Sequence, residues 1–398
     1  MKKHIIKMLS LEGVKVGKIE VNEDIVVEIK SHKIQAICPK CGKICKKIYD
    51  HKNRKVTHGI FNNQKIILVV RQKRFKCQCG NIFTEIVSGI SRKRYSENFQ
   101  HSCISELVNT NFKTVANKYK VSTPTLVNFL KDHAKQMKLP EGMMRLNVDE
   151  HSFSGRDLKI TIGELNSRRL LSILKDDNQN TLRKYFQTLK TDELERISEV
   201  CIDMKQSYLS VLKEELPNSL IVVDHFHVVK EMIRQCEEIR KILQEKGEVG
   251  WKRINRFLLI KNRENLSTTE EEKLKLLFKK YEKYPALKQC YLAKEMVRDM
   301  YKSKTRFEAE KKLERIILVL NALPFGKAKE MCNTLIRWKP YILNYFVSKT
   351  TNAFIEGCHN KIKLIKRMSY GFRNFENYVL KITLAFLPFL FQIFHTNV

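Results

Sequence analysis

Residues 143–150 read Met143-Met144-Arg145-Leu146-Asn147-Val148-Asp149-Glu150, an apolar-rich run that delivers two acids where it ends. This stretch predicts a strand over 143–148. Downstream, Leu158-Lys159-Ile160-Thr161-Ile162-Gly163 alternates in polarity and Leu170-Leu171-Ser172-Ile173-Leu174 is a denser apolar run; both read as strands. A helix is expected from about Leu182 to Leu189, and Val200-Cys201-Ile202 forms a fourth strand that ends at Asp203. A short helix over Tyr208 to Leu216 leads to Leu220-Ile221-Val222-Val223 and then Asp224. The resulting order is β-β-β-α-β-α-β, with acids at the ends of the first and fourth strands.

That is the order of an RNase H-like fold, in which those two strand ends lie side by side. A third acid is needed to hold two divalent metal ions, and it should arrive on a later helix. The segment from Thr351 to Arg367 supplies Glu356. Phe354, Ile355, Ile362 and Ile365 would form its buried side, leaving Lys361, Lys363, Lys366 and Arg367 for phosphates. The chain between Asp203 and Glu356 is far longer than such a fold requires. Most of it, about 228–349, is rich in Lys, Glu, Leu and Ile with helical periodicity and almost no glycine, which predicts an all-α insertion. Trp251 and Trp338 inside it read as core packing rather than as DNA-stacking wedges. Each acid has a competing reading. Asp149 and Asp203 also suit strand-end turns, and Glu356 suits a solvated helix face. Glu150 rivals Asp149, and Asp224 rivals Asp203; Asp203 is preferred because the fourth strand neighbours the first.

The whole chain has 398 residues, with 75 Lys+Arg against 43 Asp+Glu and a formal net charge of +32. At 43% hydrophobic and 30% charged residues, neither a disordered chain nor a membrane protein is indicated. So large a positive excess calls for a polyanion, most economically nucleic acid. The 11 cysteines are mostly scattered singly, which suits a reducing compartment in which the clustered ones bind metal. Met1 to Leu9 lacks the apolar stretch of a signal peptide. Ile382 to Phe394 is apolar but too short to span a bilayer and contains Pro388 and Gln392, so a core helix is expected. The expected setting is the cytoplasm, associated with the nucleoid, with no membrane partner.

Towards the N-terminus, Cys38-Pro39-Lys40-Cys41-Gly42 is a CxxC knuckle with its turn glycine, and Cys77-Gln78-Cys79-Gly80 offers a second pair. Two thiolate pairs on tight turns are what one tetrahedral structural zinc ion needs. The second pair is CxC, a tighter bite than usual, so Cys45 or His58 stands as a replacement ligand, and unmetallated cysteines remain the alternative. The apolar run Ile66 to Val70 between the pairs places them on a small β-rich module. After the basic stretch Ser91-Arg92-Lys93-Arg94-Tyr95 the chain turns helical, and 113–130 reads as helix-turn-helix. Thr123 is taken as N-cap and Pro124 as first helical residue. Ala116, Val121, Val127 and Leu130 fall where the two helices would pack. The exposed start of the second helix, with Thr123 and Thr125, would enter a major groove beside Arg92, Lys93 and Arg94. An ordinary helical hairpin is the alternative. Lys138 to Gly142 reads as a linker. The expected organisation is α+β and multidomain: a zinc-binding module over 1–90, a helix-turn-helix over 91–140 and a catalytic domain over 141–398.

Several stretches carry a family resemblance. They are Asn147-Val148-Asp149-Glu150-His151-Ser152-Phe153, Cys201-Ile202-Asp203-Met204, Ile221-Val222-Val223-Asp224-His225-Phe226-His227-Val228-Val229-Lys230, Asn352-Ala353-Phe354-Ile355-Glu356-Gly357 and Gly371-Phe372-Arg373-Asn374-Phe375-Glu376-Asn377-Tyr378. Together they resemble the bacterial insertion-sequence transposases with a DDE triad, of the ISL type. In that family a cysteine-rich zinc module precedes a helix-turn-helix and an RNase H-like catalytic domain. The resemblance implies Asp149, Asp203 and Glu356 as the metal-binding triad and a structural DxxH element at Asp224 and His227. The sequence departs from it at the CxC of Cys77 and Cys79, and at Cys358-His359, where related sequences tend to have an apolar residue and Asn.

The implied activity is binding of terminal inverted repeats, followed by metal-dependent strand cleavage and strand transfer. Two Mg2+ or Mn2+ ions per active site and one structural Zn2+ are the implied cofactors. Double-stranded DNA is the implied partner, with a homodimer or higher oligomer assembled on it. The rival is a zinc-ribbon and helix-turn-helix regulator without catalysis, which explains the charge and the N-terminal third and leaves the acids unexplained.

Overall fold

The computed structural model describes residues 9–90, 93–134, 139–245, 256–280, 282 and 285–386. The chain divides into two compact units, 1–138 with 362–398, and 139–361.

The first unit opens with β1 (Val14–Val21), β2 (Ile25–Ser31), the short β3 (Ala36–Ile37) and β4 (Ile44–Cys45), β5 (Ile48–Phe61), β6 (Gln64–Lys76) and β7 (Ile82–Thr84). The main sheet has the order β1-β2-β6-β5, with β7 also paired to β6. β5 and β6 make a long hairpin whose two turn residues, Asn62 and Asn63, have φ of 45° and 62°. Asparagine tolerates that left-handed geometry, which matches the twist of the flanking strands. One sheet face is apolar: Val16, Val27, Ile29, Leu68 and Val70 pack beneath Leu11, Val87 and Ile90.

Three helices follow: α1 (Glu97–Asn109), α2 (Phe112–Tyr119) and α3 (Thr123–Ala134). Lys120, in the left-handed region at φ 51°, closes α2 and gives α2-turn-α3 its sharp bend. The cap of α3 is Ser122 rather than Thr123. The Ser122 hydroxyl accepts the Thr125 amide at 3.3 Å, which makes Thr123 the first helical residue. Serine here satisfies an otherwise orphaned N–H of the first turn. Ala116 and Leu130 are buried as expected, but Val121 and Val127 are only half-buried, and Leu126 and Phe129 fill the core with Phe99 and Leu107.

The last described helix, Phe375–Ala385, joins this same unit. Its Leu384 lies in the three-helix core, and the buried Lys381 donates to the Thr110 carbonyl. Residues 362–386 thus group with the N-terminal unit rather than with the 141–398 stretch expected to be one domain. The stretch 387–394 of the expected C-terminal core helix lies outside the described residues. Among the described residues no helix is long and apolar enough to cross a membrane.

The second unit is built on β8 (Met144–Ser154), β9 (Asp157–Glu164), β10 (Arg169–Ile173), β11 (Ile197–Ile202) and β12 (Leu220–Val223), in the order β10-β9-β8-β11-β12. β8, β9 and β10 are antiparallel neighbours, whereas β11 runs parallel to both β8 and β12. This is the expected RNase H-like arrangement. Between the strands lie α4 (Gln179–Gln187), the additional short α5 (Thr191–Glu195) and α6 (Gln206–Glu215). β8 does not stop at Val148. It continues to Ser154, because the polar residues after Asp149 still pair with β9, Glu150 opposite Ile160 and His151 opposite Lys159.

α7 (His225–Glu245) leaves the sheet directly at Asp224, three residues before the expected insertion boundary. It leads into α8 (Arg256–Ile260), α9 (Thr268–Lys280), α10 (Pro285–Met300), α11 (Arg306–Asn321) and α12 (Gly326–Ser348). Trp338 is fully buried in their core; Trp251 lies outside the described residues. α13 (Ala353–Met368) follows, its residues to Lys361 belonging to this unit, and the Phe375–Ala385 helix is α14.

Candidate active site and metal centres

The parallel pairing of three strands sets the site. Ile202 of β11 is in register with Val148 of β8 and with Val223 of β12. The next residue on each strand is an acid, so Asp149, Asp203 and Asp224 form one lateral row where the parallel pairing ends. Below them Val148, Ile202 and Val223 are completely buried, which anchors the row on a rigid apolar floor.

The acids differ in environment. Asp224 is almost fully buried, at 1% exposure. Asp203 opens into a cleft of about 730 Å³ also lined by Asp149, Tyr208, His227, Lys230 and Arg234. Burial, then the charge of Asp203, pushes the Asp149 carboxyl up to about 7. His227 Nε2 lies 3.0 Å from Asp203 Oδ1 and 3.8 Å from Asp224 Oδ2. Although burial opposes it, the hydrogen bond and charge of Asp203 raise the imidazole above its ordinary value. His227 therefore bears on Asp203 more closely than on the Asp224 it was expected to serve.

Glu356 sits in the first turn of α13, its amide bonded to the Asn352 carbonyl at 3.0 Å. Two overlapping donor sets result. Asp149, Asp203 and His227 offer ligand atoms within 4.8 Å of one another, and so do Asp224, His227 and Glu356. The structure thus brings Asp203 to Asp149, and Glu356 to Asp224, with His227 common to both. Glu150, the rival to Asp149, is held by Lys205 and the Tyr208 hydroxyl. Lys205 also pairs with Asp177 at 3.0 Å.

Two buried amides that sequence reasoning passed over tie the site together. Asn147 Nδ2 donates to the Thr351 carbonyl at 2.9 Å and to Asn352 Oδ1 at 2.7 Å. A carbonyl only accepts, so it fixes which way the Asn147 amide points, and Asn147 in turn fixes Asn352. Asn352 Nδ2 then faces Asp203 Oδ1 at 3.4 Å, and its backbone N–H faces Asp224 Oδ1 at 3.3 Å. Both asparagines are fully buried. His359, one turn beyond Glu356, lies with Nδ1 3.6 Å from Asp149 Oδ2 and Nε2 3.1 Å from Thr161 Oγ1. It is one of the two positions in α13, with Cys358, at which the sequence is read as departing from the family pattern, the single signal that pointed to it.

A family model for transposases, of the DDE type and ISL3 group, matches residues 146–382, which contain this whole site. The chain belongs to the ISL3-type DDE transposases. Along its length this transposase is 24% identical to the transposase for insertion sequence element IS1001 of Bordetella parapertussis, covering 94% of this chain and 96% of that one. It is also 24% identical, over 61% of its length and 60% of the relative's, to the transposase for element IS1557 of Mycobacterium tuberculosis. Among solved structures, the Drosophila P element transposase strand transfer complex matches with a TM-score of 0.41 and 11% identity, covering 76% of this chain and 95% of that chain. The chain is thus an insertion-sequence transposase, an enzyme that cleaves and transfers DNA.

The transposase holds a second donor cluster in its N-terminal unit. Cys38, Cys41, Cys77 and Cys79 converge with all four sulfurs within 4.8 Å of one another. The closest pairs, Cys41 to Cys77 and Cys38 to Cys79, stand 3.5 and 3.7 Å apart. A tetrahedral site with Zn–S bonds of about 2.3 Å has sulfur–sulfur edges of about 3.8 Å. Each knuckle turns on a left-handed glycine, Gly42 at φ 71° and Gly80 at φ 83°. Burial works against ionisation of Cys38, but hydrogen bonds from Asn81 and from backbone amides bring its thiol down to about 6. The CxC spacing therefore closes the cluster without help. His58 is engaged elsewhere, between Ser96 and the Leu9 carbonyl, and Cys45 bonds the Lys43 carbonyl beside the cluster.

The remaining expected DNA contacts are dispersed. Lys93 pairs with Asp132 of α3, Arg94 and Thr123 are exposed, and Thr125 is half-buried. Arg92 lies outside the described residues. On α13, Lys361, Lys363 and Arg367 are exposed, and Lys366 is half-buried, its ammonium lowered by burial and by Lys363.

Proposed function

We propose that Asp149, Asp203 and Glu356 are the ligands of two divalent cations, Mg2+ or Mn2+, with which this transposase cleaves DNA at the terminal inverted repeats of its insertion sequence and joins those ends to target DNA. The observation that carries this reading is the row of acids. Carboxylates beside a buried Asp149 that resists ionisation, with the imidazole of His227 among them, are a donor set that calls for cationic charge. Divalent ions held there would supply the activation of water or of a 3′-hydroxyl and the neutralisation of a leaving oxygen in an in-line displacement.

The protein's own groups do the rest. Asn352 orients Asp203 and Asp224 and starts the helix that carries Glu356. Lys205 and Tyr208 hold Glu150 out of the donor set. Lys230 and Arg234 line the cleft where phosphates of the scissile strand would lie. His227 holds a proton on Nε2 against Asp203 at 3.0 Å and restrains that carboxylate, with Asp224 acting on it through charge alone at 3.8 Å.

The four cysteines suit one structural zinc ion, with no ligand position left for chemistry. The helix-turn-helix, α2 with α3, is the proposed reader of the terminal repeats, and each element has two ends, which favours a dimer or higher assembly on DNA. The test is incubation of the purified chain with DNA carrying the element's ends, with and without Mg2+. End-specific breaks and joined products are expected only with the metal. Specific binding without metal-dependent cleavage would favour the regulator reading.

A further inference from the structure

We infer that the outward face of the N-terminal sheet is a second DNA-binding surface, separate from the helix-turn-helix, which grips the phosphate backbone of duplex DNA through Lys15, Lys30 and Arg71. The choice of DNA as the polyanion rests on the transposase reading; the location of the surface rests on strand register alone.

Register places these cations directly opposite one another. Lys15 of β1 pairs with Lys30 of β2, and Lys30 pairs with Arg71 of β6. Asn53 of β5 completes the row. Residues in register share a face, and the face opposite to theirs is the apolar one, because Val14, Val16, Ile29 and Val70 flank them in sequence and are buried. All four members of the row are exposed. In the adjacent row, Glu28 stands opposite Val69, and Val69 opposite the exposed Lys55. Among the described residues neither Lys15, Lys30, Arg71 nor Lys55 takes part in an ion pair.

Like charges directly opposite across strands destabilise a sheet. Two such pairs in succession are therefore a cost that folding alone gives no reason to retain. A polyanion lying across the row reverses its sign. With strands 4.7–4.9 Å apart, three cations span about 10 Å, and that length of duplex carries about six phosphates. The basic run ahead of the helices docks on the edge strand β5 of the same sheet: the Thr57 amide donates to the Arg94 carbonyl at 3.0 Å, and Arg54, in register with Val70 and so on the face opposite the row, donates to the Lys93 carbonyl at 2.8 Å. Row, basic run and helix-turn-helix are thus parts of one unit.

The experiment compares full-length proteins, each also carrying Asp149→Asn so that the DNA stays intact. Binding to a labelled duplex of scrambled sequence is measured across a salt series. The triple variant Lys15→Gln, Lys30→Gln, Arg71→Gln should lower the magnitude of the slope of log K against log salt by about 2.7, since each lost phosphate contact removes about 0.9. The triple variant Lys273→Gln, Lys275→Gln, Lys288→Gln removes the same charge from exposed positions of the helical insertion and should leave the slope unchanged. The single variant Lys30→Glu, which sets an acid between two cations, should melt at a higher temperature than the parent and yet bind the duplex more weakly. An unchanged slope in the first triple variant, or an equal fall in both, would overturn the assignment. A parent chain that binds no DNA would instead count against the function itself.

Discussion

Asn352 shows how one amide organises several carboxylates. It accepts from Asn147, faces Asp203 with its side chain and Asp224 with its backbone, and starts the helix that carries Glu356. Groups that hold metal-binding carboxylates typically change affinity 10- to 100-fold when removed. Asn352→Ala should therefore weaken Mn2+ binding by about that factor in calorimetry, with binding to the element's ends unchanged. Asn352→Asp should be worse in metal-free buffer, because it adds a further charge to the row; a variant that binds Mn2+ normally would remove Asn352 from this role. Asp149 gives the pH dependence its sign. Its folded-state carboxyl is raised from 3.8 to about 7, so its contribution to stability is full below about 4 and is lost as pH rises through 7. His227, raised above 6.5, likewise loses its contribution as pH rises through its own folded value. Without divalent cations, the urea midpoint should fall between about pH 4 and 7, and Mg2+ should restore more at neutral pH than at pH 5. Asp149→Asn should flatten the curve. The acids were legible in the sequence because each follows an apolar run. Asn147 and Asn352 were not, since a lone amide in such a run carries no periodic signal and its partner lies far away in the chain.

At the scale of elements, apolar runs located the five strands of the catalytic sheet and set their order, whereas their ends were less visible. β8 was read as ending at Val148 because the apolar run stops there at two acids; pairing with β9, a long-range fact, keeps Glu150, His151 and Ser152 in the strand. The same limit explains the misplaced cap of α3. Ser122 and Thr123 are both good caps, and only the observed hydrogen bond chooses between them. The two-cysteine knuckles illustrate the opposite case, a local pattern whose consequence is non-local. The second knuckle has one residue fewer than usual, yet Gly80 turns it so that Cys77 and Cys79 meet the first pair. Elemental analysis of the purified full chain should find one zinc ion, and Cys77→Ser should lose it and lower the melting temperature of the N-terminal unit. A chain that folds equally well without zinc would show that the cluster is only four thiols.

Over the whole molecule, the sequence separated an N-terminal part from a catalytic part at the linker near residue 140, and the division of the structure falls there too. It did not reveal that 362–386 returns to the first unit, because the apolar face of α14 does not say which core it completes. α13, the helix that carries Glu356, runs on in sequence into the unit that holds the four-cysteine cluster and the helix-turn-helix. The central claim is that the strand-end acids Asp149 and Asp203, with Glu356, perform metal-dependent cleavage. It is tested most directly by cleavage of DNA carrying the element's ends with four alanine variants, at Asp149, Asp203, Asp224 and Glu356, in the presence of Mg2+. Loss of a group acting in the reaction itself lowers rates on the order of a thousandfold or more. The Asp149, Asp203 and Glu356 variants should show such a loss while still binding the ends. An Asp203→Ala enzyme that cleaves normally beside an Asp224→Ala enzyme that does not would contradict the assignment.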